Sequence, residues 1–217
     1  NLQYGATQAF VYAFTFIGGL FADKILGYRK SLLWGGILMI IGSMILAYDP
    51  KAFFFFGISF TIIGTGFFKP NISTMVGQLY KEGDVRRDAG FSLFYAGINI
   101  GALLGGYLCI AVGKGEMFSS LIPENLRWNV AFGFAAVVMV ISLLTFIRTQ
   151  KQIGNIGLSP LASMDANKRK MWEWGTYLIS LILLPVIMTM VSKTEYTNYF
   201  MYTIGPATLI YLGYEMM

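Results

Sequence analysis

The 217-residue chain has no histidine, a single cysteine and only 12% charged residues. Without an imidazole there is no histidine-ligated metal site and no histidine-based triad. One cysteine excludes an internal disulfide framework. The shortage of charge excludes more. Soluble domains carry roughly 25% Asp, Glu, Lys and Arg, so a water-soluble globule does not fit. Disorder needs low hydrophobicity and high charge, and here 56% of residues are hydrophobic. What is abundant is glycine (25 residues), phenylalanine (18) and tyrosine (13), a pattern of polytopic helical membrane proteins. The net charge of +5 is distributed as membrane topology requires, not as a nucleic-acid patch.

Uncharged or nearly uncharged runs long enough to cross a bilayer occupy residues 1–22, 31–48, 52–80, 89–113, 128–147, 174–192 and 196–214. The expectation is an all-α, polytopic bundle with seven spans. The chain opens at Asn1, inside an apolar segment and without an initiator Met, and is read as an internal piece of a longer protein. Placing loops 23–30, 81–88 and 148–171 on one side gives that side 11 Lys and Arg and the other side 4. By the positive-inside rule the richer side is cytoplasmic, and 114–127 and 193–195 face outward. Residues 148–171 are polar, contain Gly154, Gly157 and Pro160, and end in Lys168-Arg169-Lys170. They read as a cytoplasmic linker between a block at 1–147 and a two-helix hairpin at 172–217. Trp34, Trp128, Trp172 and Trp174 near span ends read as interface anchors.

Lys69 is the one charge in the middle of a span. At 1.5 Å per residue it lies about 27 Å from Lys51 and about 18 Å from Lys81, beyond the ~6 Å reach of a snorkelling lysine stem. An ammonium at that depth costs roughly 3 kcal/mol on insertion scales. It therefore faces a wet cavity or pairs with a carboxylate, for packing or for function. All 11 acidic residues sit at span ends or in loops, so no carboxylate of this sequence meets Lys69 at its depth. Its neighbours are Gly64-Thr65-Gly66-Phe67-Phe68-Lys69-Pro70-Asn71. Pro70 has no N–H, frees the Gly66 carbonyl and kinks a helix, which suits a cavity wall.

Tyr95 and Asn99 are spaced i,i+4 and share one helix face. Their donors and acceptors fit a peptide-like group or, equally, interhelical hydrogen bonds. Gly97, Gly101 and Gly105 form a small-residue face expected to pack against a neighbouring helix. Tyr12 is mid-span, where no aromatic belt explains it. Cys109, in an apolar run, reads as a small packing residue.

Gly19-Leu20-Phe21-Ala22-Asp23-Lys24-Ile25-Leu26-Gly27-Tyr28-Arg29-Lys30 resembles the loop motif of the major facilitator superfamily. Gly64-x-Gly66-x-x-Lys69-Pro70-Asn71, Arg87-Asp88-Ala89-Gly90-Phe91-Ser92 and Phe94-Tyr95-x-x-Ile98-Asn99-x-Gly101-Ala102 follow in order. Together they resemble the proton-dependent oligopeptide transporter family. The resemblance implies that 1–147 are helices two to six of the N-terminal six-helix bundle and that 172–217 is an inserted hairpin. The first helix and the C-terminal bundle then lie outside this chain. It implies proton-coupled symport of di- and tripeptides by a multi-pass protein of the cytoplasmic (inner) membrane. Tyr12, Lys69, Tyr95 and Asn99 would line the peptide site and Lys69 would take part in proton coupling. Gly19, Asp23, Gly27 and Arg29 would serve the conformational loop. No metal or organic cofactor, and no nucleic-acid partner, is expected; the proton is the coupling ion. The alternatives are another major facilitator carrier, for drugs or sugars, and a membrane-embedded enzyme. The latter lacks an evident nucleophile, metal site or acid–base pair.

Overall fold

A computed structural model describes residues 2–193 together with Glu195, Tyr202 and Pro206. The seventh expected span, 196–214, lies outside the described residues. The other six are long helices: α1 (Leu2–Phe21), α2 (Gly27–Tyr48), α3 (Phe54–Gln78), α4 (Arg86–Lys114), α5 (Arg127–Thr149) and α6 (Ala166–Ser192). Short 3-10 turns cover Glu124–Leu126, Gln150–Ile153 and Pro160–Ser163. Four stretches, Thr7–Tyr48, Arg86–Lys114, Glu124–Ile153 and Ala166–Ser192, are long and apolar enough to cross a membrane, the first containing both α1 and α2. Helix α3 is not among them, because Lys69, Pro70, Asn71, Ser73 and Thr74 dilute its apolar character.

Helix α3 is nevertheless the hub. It packs most extensively on α2, then on α1 and α6, and only lightly on α4; α5 bridges α2 and α4. One apolar core joins Phe10 and Phe14 of α1, Leu38 of α2, Phe60, Ile62, Ile63 and Phe67 of α3, and Leu184, Ile187 and Val191 of α6.

The glycines of α2 and α3 explain the closeness of that pair. The helices are antiparallel, and Gly35 faces Gly64 while Gly42 faces Gly57. A Cβ on Gly64 would lie 2.7 Å from the Gly35 carbonyl oxygen, and one on Gly42 would lie 2.6 Å from that of Gly57. The pairs recur every seven residues, two helical turns, on both partners. In lipid, where apolar burial does not drive association, such backbone-to-backbone approach is what small residues supply. Gly97, Gly101 and Gly105 meet no neighbouring helix among the described residues. No described atom lies within 4 Å of a Cβ built on any of them, because α4 turns a different face to α5. Within the described residues the close-packing helix glycines include Gly18 of α1 with Gly66 of α3, besides the α2–α3 pairs.

Trp34 is also reassigned. It is partly buried, donates to Ser180 Oγ at 3.0 Å and lies 4.7 Å from the Tyr177 ring, so it docks α6 against α2. Lys30 Nζ reaches Glu173 Oε1 at 2.6 Å at the same end of the pair. At the other end Asn129 Nδ2 donates to the carbonyls of Ala47 and Tyr48, both at 2.9 Å. It thereby satisfies the last turn of α2 and fixes the start of α5.

Candidate functional site

The groove between α1 and α3 begins with a close contact. The two helices run parallel, and a Cβ on Gly66 would lie 2.6 Å from the Phe14 carbonyl oxygen. Asn71 is buried at 1% exposure. Its Nδ2 donates to Phe67 O at 2.6 Å, with Gly18 O at 3.5 Å. A buried amide of this kind must be bonded, and here it strengthens the α3 backbone just where Pro70 removes a donor. Asn71 was quoted in the sequence only as part of a motif. Its position directly after a mid-span proline was the signal of its role.

Lys69 lies on α3 between Gly66 and Asn71. Helical side chains lean toward the N-terminus, and its stem climbs back along the groove. Lys69 Nζ lies 5.0 Å from the centroid of the Tyr12 ring, a cation–π contact. Both side chains are exposed, Tyr12 at 64%. Among the described residues no carboxylate pairs with Lys69; the ion pairs are Lys30–Glu173, Arg86–Asp84 and Arg169–Glu173. A cavity of about 260 Å³ continues the groove, lined by Thr15, Phe16, Gly19, Leu20 and Asp23 of one side and Pro70, Asn71 and Thr74 of the other. Gly19 and Asp23, read from the sequence as loop-motif residues, thus border the space that runs from the α1 end toward Lys69.

Tyr95 and Asn99 lie on an open face of α4. The Tyr95 ring stacks on Phe91 (6.4 Å between centroids) and meets Phe94 edge-on (5.5 Å), and it is 53% exposed. Asn99 is exposed as well. Neither makes a hydrogen bond or ring contact with Tyr12 or Lys69. The structure therefore joins two of the four expected pocket residues and leaves the other two uncovered on a separate helix.

The remaining motif residues organise the α1–α2 reversal. A π-helical turn at Ala22–Leu26 leads into Gly27 at φ +74°, where glycine is favoured. A Cβ there would also lie 2.6 Å from the Leu158 carbonyl oxygen and from the Ser159 nitrogen. Arg29 donates from its backbone to Gly157 O at 3.0 Å, from Nε to Ile156 O at 2.6 Å, and from its second guanidinium nitrogen to Gly154 O. Ser159 Oγ returns a bond to Ile25 O at 2.6 Å. Residues 154–159 of the polar segment are thus latched onto the reversal, and the segment's last residues already belong to α6. In the next loop of this side the Asp84 carboxyl is lowered to about 2 by bonds from the Arg86 side chain and backbone.

The structure is thus a bundle of long apolar helices whose central helix carries a lysine capped by Tyr12 beside a groove, with no carboxylate partner among the described residues. A POT family model matches residues 29–203, and the chain belongs to the POT family. It is 39% identical to an uncharacterized transporter, YclF, of Bacillus subtilis, over 69% of this chain and 28% of that protein. It is 34% identical to a di-/tripeptide transporter of Lactococcus lactis, over 82% of this chain and 33% of that one. The solved structure of a bacterial homologue of the human drug peptide transporters PepT1 and PepT2 superimposes with a TM-score of 0.84. The match covers 96% of this chain and 46% of that one at 23% identity, a likeness of fold. The fold is that of the major facilitator superfamily, in a multi-pass membrane protein. The chain spans about a third of the length of the curated relatives it matches.

Proposed function

We propose that the protein to which this chain belongs imports di- and tripeptides together with protons, by alternating access across the cytoplasmic membrane. The observation that carries this reading is Lys69: a mid-span ammonium on the hub helix, beside Tyr12, open to a groove and without a carboxylate among the described residues. A peptide offers the complementary group, its C-terminal carboxylate. When that site is empty, a carboxylate from outside this chain would hold the ammonium, and its protonation would release Lys69 to the peptide. Proton and peptide binding are then coupled through one charge. Tyr95 and Asn99 would supply the opposite wall, where hydroxyl and amide groups match the polarity of a peptide bond.

In this reading residues 1–147 are helices two to six of the N-terminal bundle, 148–171 the cytoplasmic linker and 172–217 the inserted hairpin. The protein does no covalent chemistry and needs no metal or organic cofactor. The name of the Lactococcus relative supports peptides over drugs or sugars as substrate. The test is uptake of labelled dialanine by the intact protein in liposomes, with and without an inward proton gradient. Gradient-dependent accumulation is expected. Accumulation that ignores the gradient would remove the coupling, and failure to take up any di- or tripeptide would remove the substrate class.

A further inference from the structure

A cavity of about 830 Å³ lies at the far end of the bundle from the Arg29 latch, between the α2–α3 loop, the end of α4 and the start of α5. Three cations line it: Lys51, Lys114 and Arg127. One carboxylate, Glu124, lines it too, leaving a net positive wall. No ion pair engages any of the four among the described residues, whose ion pairs lie elsewhere. The Arg127 guanidinium lies against the Gly115 turn, and its Nε is buried with no hydrogen-bond partner. The C-terminal dipole of α4 helps to hold Lys114 and Arg127 there, but a dipole fills none of their N–H donors. A buried guanidinium nitrogen without an acceptor is costly. The other guanidinium N–H donors and the two ammonium groups that line the same cavity match a tetrahedral oxyanion. Phe54, Trp128 and Phe132 add an aromatic wall, with Trp128 at the start of a candidate span, the level at which lipid headgroups lie.

We propose that this cavity is an oxyanion site of the phosphate class, separate from the α1–α3 groove. Lys51, Lys114 and Arg127 hold the anion, and the adjoining aromatic wall favours a phospholipid headgroup over free phosphate. The site stands on its own residues and does not depend on what the protein transports. The experiment uses the intact protein purified in neutral detergent. Phosphatidylglycerol, phosphatidylcholine and inorganic phosphate are titrated separately, with bound lipid counted by native mass spectrometry and unfolding followed by Tm.

The expected result is retained phosphatidylglycerol, a raised Tm, and at least tenfold weaker binding in the Lys51→Gln/Lys114→Gln/Arg127→Gln variant. The Lys24→Gln/Lys81→Gln variant, altered at the other end, should match the parent. If the triple variant fails to fold, Lys51→Glu, an exposed loop change, should weaken binding at least threefold. Protection by phosphate that depends on these three cations, with no lipid retained, assigns the site to the free anion. Equal phosphatidylglycerol affinity in parent and charge variants, or no binding of either probe to the parent, overturns the proposal.

Discussion

Gly64→Ala is the sharpest test of how this bundle is held together. In an isolated helix the change favours alanine by about 1 kcal/mol. In the structure the new Cβ would lie 2.7 Å from the Gly35 carbonyl oxygen and 2.9 Å from the Met39 nitrogen. Both are backbone atoms of α2, which cannot swing aside as a side chain tip does. Relief requires α2 and α3 to separate by several tenths of an ångström along a contact that repeats at Gly42 and Gly57. Overpacking of this kind costs about 1–3 kcal/mol, enough to outweigh the propensity gain. Gly175→Ala on α6 is the matched control, since nothing described lies within 4 Å of its Cβ. The assay is thermal unfolding of the purified intact protein in detergent. Gly64→Ala should lower Tm, Gly175→Ala should leave it level or raise it, and Gly35→Ala/Gly64→Ala should cost less than the two single changes added, because both act on one contact. A Gly64→Ala protein as stable as its parent would show that the α2–α3 approach is not set by glycine.

Lys69→Ala should abolish gradient-driven dialanine uptake in liposomes while leaving the protein folded, because the carboxylate that loses its cation can stay protonated and neutral; uptake near the parent rate would make Lys69 a structural charge. Asn99→Ala should weaken peptide binding, measured by calorimetry on the intact protein, by about 1–3 kcal/mol; unchanged affinity would remove Asn99 from the site. Arg29→Gln removes the guanidinium bonds to the 154–156 carbonyls and should raise amide exchange across residues 154–159 with little change in α5; equal protection would mean that Gly27 and Ser159 hold the segment unaided. Asp84 titrates at about 2 because Arg86 favours its charged form. A lowered native value means that the stabilisation is present above the ordinary carboxylate range and fades as pH falls through 2. In Arg86→Gln the Asp84 carboxyl resonance should titrate at a higher pH, and an unmoved midpoint would refute the pairing.

Six of the expected helices were legible because the bilayer imposes a length and bars charge, so Asp23-Lys24, Asp49-Pro50-Lys51 and the mainly basic charges of the linker punctuate the chain visibly. Packing was harder to read. A glycine stripe on one helix does not say whether a partner lies opposite, and the stripe at Gly97, Gly101 and Gly105 looks like a packing face while Gly35 and Gly42 sit inside an ordinary apolar run. What distinguishes them is the reciprocal pair at the same seven-residue interval on α3, a two-helix property that periodicity within one segment does not contain. Trp34 misled for the same reason. Its place near a span end fits an interfacial belt, whereas its indole N–H found Ser180 on a helix 146 positions away. The groove was legible by elimination, since no acid in the sequence shares the depth of Lys69, and the structure gives that ammonium an aromatic ring instead. Tyr95 and Asn99 share a face by spacing, as read, but spacing says nothing of what covers that face. Their exposure leaves α4 with polar groups that a transmembrane helix does not keep toward lipid without a wet cavity or a partner. In the proposed transporter the reasoning that puts Lys69 at a cavity would put Tyr95 and Asn99 at one as well, with the α1–α3 groove and the open face of α4 as two of its walls.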